Sequence, residues 1–557
     1  MNDDKRENKP FRKVEGGSGS TERKPFRKDG EERPFRKDGE RPFRKDGERP
    51  FRKDGERPFR KDGERPFRKD GERPFRKDGE QRPFRKDGER PFRKDGERPF
   101  RKDGDRPAAP RKGDARRVAL NALCDVMMAD AYAGIALNKR FKEVELSPED
   151  KRLATNIFYT ALENRMRIDH LLNQLVASMP EPIVRAVLHV AAAQLLYMDR
   201  IPDHAAVDEA VNAIKRLGRE HYAALVNGTL RNLIRERDAG ELKDLVRGEN
   251  PARYLSIMYS IPETLVARLI NAYGEEEAEK IVSFRPEEHW ENVRPNLMEM
   301  DDAAFEKYMT EKGWTWEKGT VAHSYRLLKA GDLAGDEDFK KGLFSIQGES
   351  SMLAAQAVCV KAGMNVIDAC AAPGGKSALM CEMMQGTGRV YAYEVHEHRV
   401  ELLKNMATRL RLYNLRPAQA DATILRPENA DRMNAVLIDA PCSGLGVMGD
   451  KPDLKYRMKE ENLRSITETQ KKLLDTCSQY VQPGGLLVYS TCTLLPEENQ
   501  DQVRAFLETH PEFTLEKDAS WLPEALKDQM TDGMIQLLPH RHPGMDGFFI
   551  ARMRRAR

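Results

Sequence analysis

Apolar positions along this chain change their period partway. Between residues 115 and 240 they recur at helical spacing. Val207, Ala210, Val211 and Ile214 fall at i, i+3, i+4 and i+7, and Ile183, Val187, Ala191 and Leu195 form a second stripe. Pro180, Pro182 and Pro202 punctuate the helices. Such stripes predict a helical domain with ordinary core-facing surfaces and by themselves reveal no activity. Residues 241–290 read as connecting helices, and 291–345 mix short strand and helix signals, a small α/β module. From Leu343 onward short β-rich runs alternate with helices, the rhythm of βαβ units around a parallel sheet. Strands are expected at Val366–Ala369, Arg389–Tyr393, Ala435–Ile438 and Leu486–Tyr489, with a further strand-like segment ending at Asp421. The longest apolar run, Ala186–Met198, is broken by His189 and Gln194 and is too short to span a bilayer.

The first 110 residues carry no such period. PFRK occurs eleven times there, mostly in eight-residue units, PFRKDGER. One large apolar side chain per unit, beside Pro and Gly, cannot bury enough surface to offset chain entropy, so the arm is expected to be disordered. Two readings stay open: a loose RNA tether, with Arg and Lys on phosphates and Phe stacked on bases, or a solvating polyampholyte spread by repeat slippage. The arm holds 37 Lys+Arg against 26 Asp+Glu; with a whole-chain net of +4, residues 111–557 are left seven charges negative. An RNA-binding body of that charge needs a locally basic cleft. Seven cysteines without a CxxC pair or a Cys/His zinc spacing point to reduced thiols, not to a disulfide framework or a metal site. Without an apolar N-terminal segment the expectation is a cytoplasmic protein, with no membrane and no metal.

Chemistry concentrates where strands end. DACAAPGGK (Asp368–Lys376) turns out of the Val366–Ala369 strand into a helix. Gly374 and Gly375 let backbone approach a ligand closely. The helix start offers free N–H groups to a carboxylate, and Lys376 adds positive charge. The spacing is not that of a P-loop. Glu394 ends the second strand about 20 residues later, where an acid suits ribose hydroxyls or simply faces water. Asp421 can accept from an adenine amino group or start a turn. DAPCSG (Asp439–Gly444) follows the fourth strand and STCT (Ser490–Thr493) the fifth. Cys442 and Cys492 therefore lie at C-terminal strand ends, where open α/β sheets place ligands, and share a cleft if those strands are neighbours. Cys124, Cys359, Cys381 and Cys477 read as small buried hydrophobes, and Cys370 as a backbone contributor.

DACAAPGGK, DAPCSG, YSTCT followed by LPEEN, and GMDGFFIARM (Gly544–Met553) resemble the Sun (NOL/NOP/Sun) family of RNA 5-methylcytosine methyltransferases. IPDHAAVDEAVNAIKRLG (Ile201–Gly218) and VNGTLRNL (Val226–Leu233) resemble the NusB-like RNA-binding domain fused to bacterial members, so residues 114–557 resemble the RsmB type. The chain is therefore expected to be multidomain: the disordered basic PFRKDGER repeat arm at 1–110, read from its composition, and then, as the resemblance implies, an all-α NusB-like domain at 111–245, a helical linker and small α/β module at 246–342, and a Rossmann-like α/β SAM methyltransferase domain at 343–557. It implies S-adenosyl-L-methionine as cofactor, held by Cys370, Ala371, Ala372, Pro373, Gly374, Gly375, Lys376, Glu394, Asp421 and Asp439. The implied partner is small-subunit (16S) ribosomal RNA, unassembled or partly assembled. The implied chemistry is covalent. Cys492 adds to C6 of a cytosine and makes C5 enamine-like, Asp439 contacts N3, and Cys442 assists turnover. The repeat arm is not part of the family pattern, and NVRPNL (Asn292–Leu297) departs from the usual RVN-type wording. Two other readings compete. A NusB-like RNA-binding factor with an inactive methyltransferase domain is opposed by the intact motifs. A DNA cytosine methyltransferase using Cys442 is opposed by the NusB-like domain and the TC cysteine.

Overall fold

The computed structural model describes residues 111–285, 290–328 and 331–557; the repeat arm and both readings of it lie outside them. Seven helices build the first domain: α1 (Ala115–Ala129), α2 (Ala133–Glu143), α3 (Pro148–Glu163), α4 (Arg165–Leu175), α5 (Pro182–Tyr197), α6 (Asp203–Arg216) and α7 (Ala223–Ala239). A short parallel pair, β1 (Arg111–Lys112) and β2 (Val144–Glu145), lies at its start. Local chemistry sets the helix ends. Asp114 and Ser147 accept from the N–H groups of Arg116 and Asp150, Pro148 and Pro182 open α3 and α5, and Gly240 ends α7 in the left-handed region. α5 is more than the stripe read from sequence. Every residue from Ala186 to Leu195 is buried, because α1, α3, α4, α6 and α7 surround it. The two polar residues that break the run are paired inside this core: His189 Nε2 lies 2.6 Å from Asp169, and Gln194 accepts from Arg116 at 2.7 Å.

α8 (Pro251–Tyr259), α9 (Glu263–Tyr273) and α10 (Glu275–Ser283) lead onward, and their apolar faces pack on Leu445, Leu463, Leu494 and Leu495. A four-stranded antiparallel sheet follows: β3 (Trp290–Pro295), β4 (Thr315–Lys318), β5 (Tyr325–Leu328) and β6 (Phe344–Ile346), in the order β4-β5-β3-β6. α11 (Asp302–Glu311) and α12 (Glu337–Lys340) accompany it, and Phe305, Tyr325 and Phe344 form its core. This sheet runs to Ile346, slightly past the point where the βαβ rhythm sets in. Arg294, within NVRPNL, is fully buried. Its Nε donates to Gln347 at 2.7 Å and its Nη1 meets Glu382 at 2.5 Å.

The large sheet comprises β7 (Asn365–Asp368), β8 (Arg389–Glu394), β9 (Leu415–Gln419), β10 (Met433–Asp439), β11 (Val481–Thr491), β12 (Phe513–Leu515), β13 (Met530–Thr531), β14 (Met534–Leu537) and β15 (Phe548–Arg555). Its order is β9-β8-β7-β10-β11-β15-β14-β13, with β12 also on β15. The first five are parallel; β15 runs antiparallel to β11. α13 (Glu349–Gln356), α14 (Gly375–Met383), α15 (Glu397–Leu410), α16 (Leu454–Arg457), α17 (Glu460–Cys477) and α18 (Gln500–Thr509) belong to the same domain. The near-continuous apolar runs Val436–Ile438 and Leu486–Tyr489 reflect burial of the sheet on both faces. Strand order reverses between β7 and β10, and a crevice at such a switch point is where ligands bind. α16 docks the helical domain: Asp453 accepts the Ala133 N–H at 3.0 Å and the Tyr456 hydroxyl donates to Leu162 O at 3.0 Å. Among the described residues no helix is long and apolar enough to cross a membrane, and no cluster of metal-ligating side chains occurs.

Candidate active site

Five parallel strands deliver the sequence-predicted residues to one edge. Asp421 follows β9, Glu394 ends β8, the Cys370–Gly374 loop follows β7, Asp439 ends β10 and Cys492 follows β11. At Gly374, φ is 113°, and a Cβ would lie 2.5 Å from Met406 Cε and 2.8 Å from Leu403 Cδ2. Only glycine lets α15 pack this close. α14 starts at Gly375, so its first N–H groups have no intrahelical partner. Arg399 of α15 ties the loop to the next strand, donating to Ala372 O at 2.7 Å and pairing with Glu394 at 2.9 Å. The nearly buried Glu394 also accepts the His396 N–H. Asp368 accepts from Ser377 at 2.6 Å, yet its other oxygen is buried and unpartnered among the described residues; burial pushes this carboxyl up to about 6. Asp421 is exposed and accepts from the Thr423 N–H and hydroxyl, the turn-starting geometry.

The two motif cysteines meet. β10 and β11 are paired neighbours, with Asp439 opposite Ser490, and Cys442 Sγ lies 3.3 Å from Cys492 Sγ. The hydrogen bond from Cys442 lowers the Cys492 pKa, aided by Lys376 and Lys451 against burial and Asp439. The same contact, with burial and Glu498, raises Cys442 well above the ordinary thiol range. Lys376 turns towards this pair. Its Nζ lies 2.7 Å from Asp439 Oδ2 and 5.4 Å from the Phe548 ring centroid. Burial opposes its charge, but Asp439, Asp368 and Cys492 together outweigh burial and the ammonium is stabilised. Asp439 Oδ1 accepts from Ser490 at 3.0 Å, so the expected contact to N3 competes with partners on both oxygens. Burial pushes Cys124, Cys370, Cys381 and Cys477 upwards, which keeps them as inert thiols.

Glu498 and Gly446 hold this pair in place, and sequence reasoning gave neither a role. Glu498 is fully buried and joins both cysteine loops. Oε2 accepts the Ser443 N–H at 2.8 Å, while the Ser443 and Thr493 hydroxyls lie 2.5 and 3.0 Å from Oε1. The Gly446 N–H donates to Cys492 O at 2.9 Å, and its carbonyl accepts the Gly547 N–H at 2.9 Å. A Cβ at Gly446 would lie 1.9 Å from Gly547 O, so the close approach requires glycine. LPEEN and GMDGFF were visible as matching letters, but no spacing rule indicates these bonds. Beside the pair opens a cleft of about 960 Å³. Arg285 and Lys455 line it together with Glu163, Glu291, Asp450 and Asp546, a mixed wall where the acidic body led us to expect a basic one.

Residues 355–554 match the family model described as 16S rRNA methyltransferase RsmB/F, and residues 113–235 match the NusB family. The probable ribosomal RNA small subunit methyltransferase B of Bacillus subtilis is 38% identical over 455 residues, 80% of this chain and 99% of that one. The chain belongs to the ribosomal RNA small subunit methyltransferase B family. The Synechocystis member is 30% identical over 79% of this chain and 99% of its own. The crystal structure of PH0851 is 26% identical, with a TM-score of 0.65, covering 79% of this chain and 98% of that one. Membership makes this an S-adenosylmethionine-dependent rRNA methyltransferase with an N-terminal NusB-type domain, as the motifs predicted. The residues present fit that cofactor. A glycine packed against α15 and an open helix start offer N–H groups that would take the carboxylate of its amino-acid end, an acid stands at the tip of β8, and Asp368 keeps one oxygen unpartnered among the described residues.

Proposed function

We propose that this protein is a cytoplasmic enzyme that methylates carbon 5 of an unpaired cytosine in 16S rRNA before the subunit is fully assembled. Cys492 is the nucleophile. The supporting observation is the 3.3 Å thiol pair in which surroundings hold the proton on Cys442. S-adenosylmethionine, when bound, supplies the methyl electrophile; Cys370 to Lys376, Glu394 and Asp421 would hold it. The Cys492 thiolate adds to C6, and the ring electrons shift to C5, which gains nucleophilicity. Forming that C–S bond removes the negative neighbour that kept Cys442 protonated. The Cys442 thiol can then lose its proton to solvent and take the C5 proton after methylation, and Cys492 departs as a thiolate. Asp439 holds the Lys376 ammonium, which keeps a positive charge beside Cys492. Attack comes at the face of the ring, which stacking covers in a helix, so the base must be unstacked at a cost of a few kcal/mol.

An rRNA transcript carrying 5-fluorocytosine tests this. The wild-type enzyme is expected to form a covalent complex that survives denaturation. Cys492→Ala should abolish both the complex and methyl transfer, while Cys442→Ala should accumulate adduct on unmodified RNA. Adduct formation by Cys492→Ala would overturn the assignment.

A further inference from the structure

The turn before α18 carries a carboxylate that touches both cysteine loops. Glu498 Oε2 accepts the N–H of Ser443, the residue after Cys442, at 2.8 Å, and Gln470 Nε2 of α17 at 3.2 Å. Oε1 lies 2.5 Å from the Ser443 hydroxyl and 3.0 Å from that of Thr493, the residue after Cys492. The same Gln470 amide donates to Pro441 O at 3.0 Å, so Cys442 is held on either side. Asn499 does this for Cys492, accepting from the Thr491 hydroxyl at 2.5 Å and donating to Thr493 O at 3.1 Å. Both chain neighbours of each cysteine are therefore tied to Glu498, to Asn499 or to the glutamine that bonds Glu498.

Glu498 is fully buried, and every group that bonds its carboxylate among the described residues is a neutral donor. Burial raises its pKa, and the bonds from Ser443, Thr493 and Gln470 oppose that. A buried carboxylate without a cation keeps its field uncancelled. That field acts on Cys442, whereas the cations Lys376 and Lys451 act on Cys492. Two other titratable groups face the pair. Tyr489 donates its hydroxyl to Glu498 O at 2.7 Å and stays neutral, because burial raises it well above the ordinary range. Asp439 opposes charge on Cys492 but is itself held by Lys376 at 2.7 Å. An anion acting on one thiol and cations on the other decide which sulfur keeps a shared proton. We propose that Glu498 is a positioning residue for the nucleophile: it draws the two cysteine loops onto one carboxylate, and its charge keeps the shared proton on Cys442. This rests on the reading of Cys492 as nucleophile. Spacing and charge can be separated. Gln at this position still accepts the Ser443 N–H and turns its amide hydrogens to the Ser443 and Thr493 hydroxyls, which accept as well as donate, so only the charge is lost. Ala loses both.

The test uses the full-length protein without RNA. Iodoacetamide alkylation across a pH series, read by mass spectrometry on the Cys442 and Cys492 peptides, gives the partition between the two thiols. Wild type is expected to react mainly at Cys492. Glu498→Gln should move the partition towards Cys442 by at least ~5-fold near neutral pH, the effect of losing a nearby charge. The spacing of the sulfurs is read separately, from closure of the Cys442–Cys492 disulfide by diamide, which takes up the two hydrogens as the S–S bond forms. Glu498→Gln should close it at least as fast as wild type, and Glu498→Ala at least ~5-fold more slowly, because an S–S bond tolerates little misplacement. Glu498→Gln with the wild-type partition at every pH would overturn the proposal. So would Glu498→Ala closing the disulfide at the wild-type rate, and the glutamine variant decides the matter if Glu498→Ala fails to fold. Wild type alkylated mainly at Cys442 would instead sink the reading of Cys492 as nucleophile, and this proposal with it.

Discussion

Between Cys442 and Cys492 one proton has two places to sit, and the surroundings put it on Cys442. Burial alone would protonate both thiols, so the distinction comes from the 3.3 Å contact and from the cations Lys376 and Lys451 near Cys492. Only a thiolate alkylates at an appreciable rate. In Cys442→Ala the donor is gone, so the Cys492 pKa rises and the pH midpoint for its alkylation by iodoacetamide moves to higher pH. Mass spectrometry of the Cys492 peptide across a pH series checks this; an unmoved midpoint would assign the effect to the lysines instead. The sequence places both cysteines at strand ends but says nothing of which keeps the proton. That depends on the 3.3 Å approach of the two sulfurs and on the direction of Lys376, which the glycine-loop reading aims at a cofactor carboxylate and the fold aims at Asp439.

At the scale of elements, β3 and α14 are joined by the buried pair Arg294–Glu382. Both side chains are fully inaccessible, and Arg294 Nη2 and Glu382 Oε1 have no hydrogen-bond partner among the described residues. Breaking such a pair leaves one charge buried alone. Arg294→Ala is expected to destabilise the protein by ~3–5 kcal/mol, whereas Arg294→Met with Glu382→Leu should recover most of that loss. Urea unfolding of the three proteins measures it, and a cost below ~1 kcal/mol for the single variant would mean that water reaches the site. α14 begins at the cofactor loop, so the single variant should also bind S-adenosylmethionine more weakly. Little of this was legible beforehand. A strand arginine before a proline reads as surface, because the partner that buries it lies 88 residues away on another domain. The strands of the large sheet were legible, since runs such as Val436–Ile438 are apolar without alternation and only a sheet covered on both faces requires that.

Across the whole molecule, one short helix ties the helical domain directly to the segment after Cys442. α16 follows the Cys442 loop and carries Lys455, which is 3% exposed at the seam with α3 and donates to Glu163 O at 3.2 Å. Burial, with Arg285 nearby, depresses its pKa from 10.5 to about 7. A lysine whose folded pKa lies below its unfolded value binds more protons when unfolded, between those two pH values. Stability must therefore rise with pH through this window, by up to ~1.4 kcal/mol per pH unit above the folded pKa. Below pH 7 the ammonium is charged in both states and the folded seam carries the full desolvation cost. Lys455→Met removes that cost, so it should be more stable than wild type at pH 6, with the gap narrowing steadily towards pH 8.5. The buried thiols titrate alike in both proteins and cancel from the comparison. Urea midpoints at pH 6, 7, 8 and 8.5 decide it. A gap that stays constant would mean that Lys455 remains protonated throughout, held by the Glu163 carbonyl. A gap that closes would mean that falling pH loosens the contact between the NusB-type domain and the loop that carries Cys442.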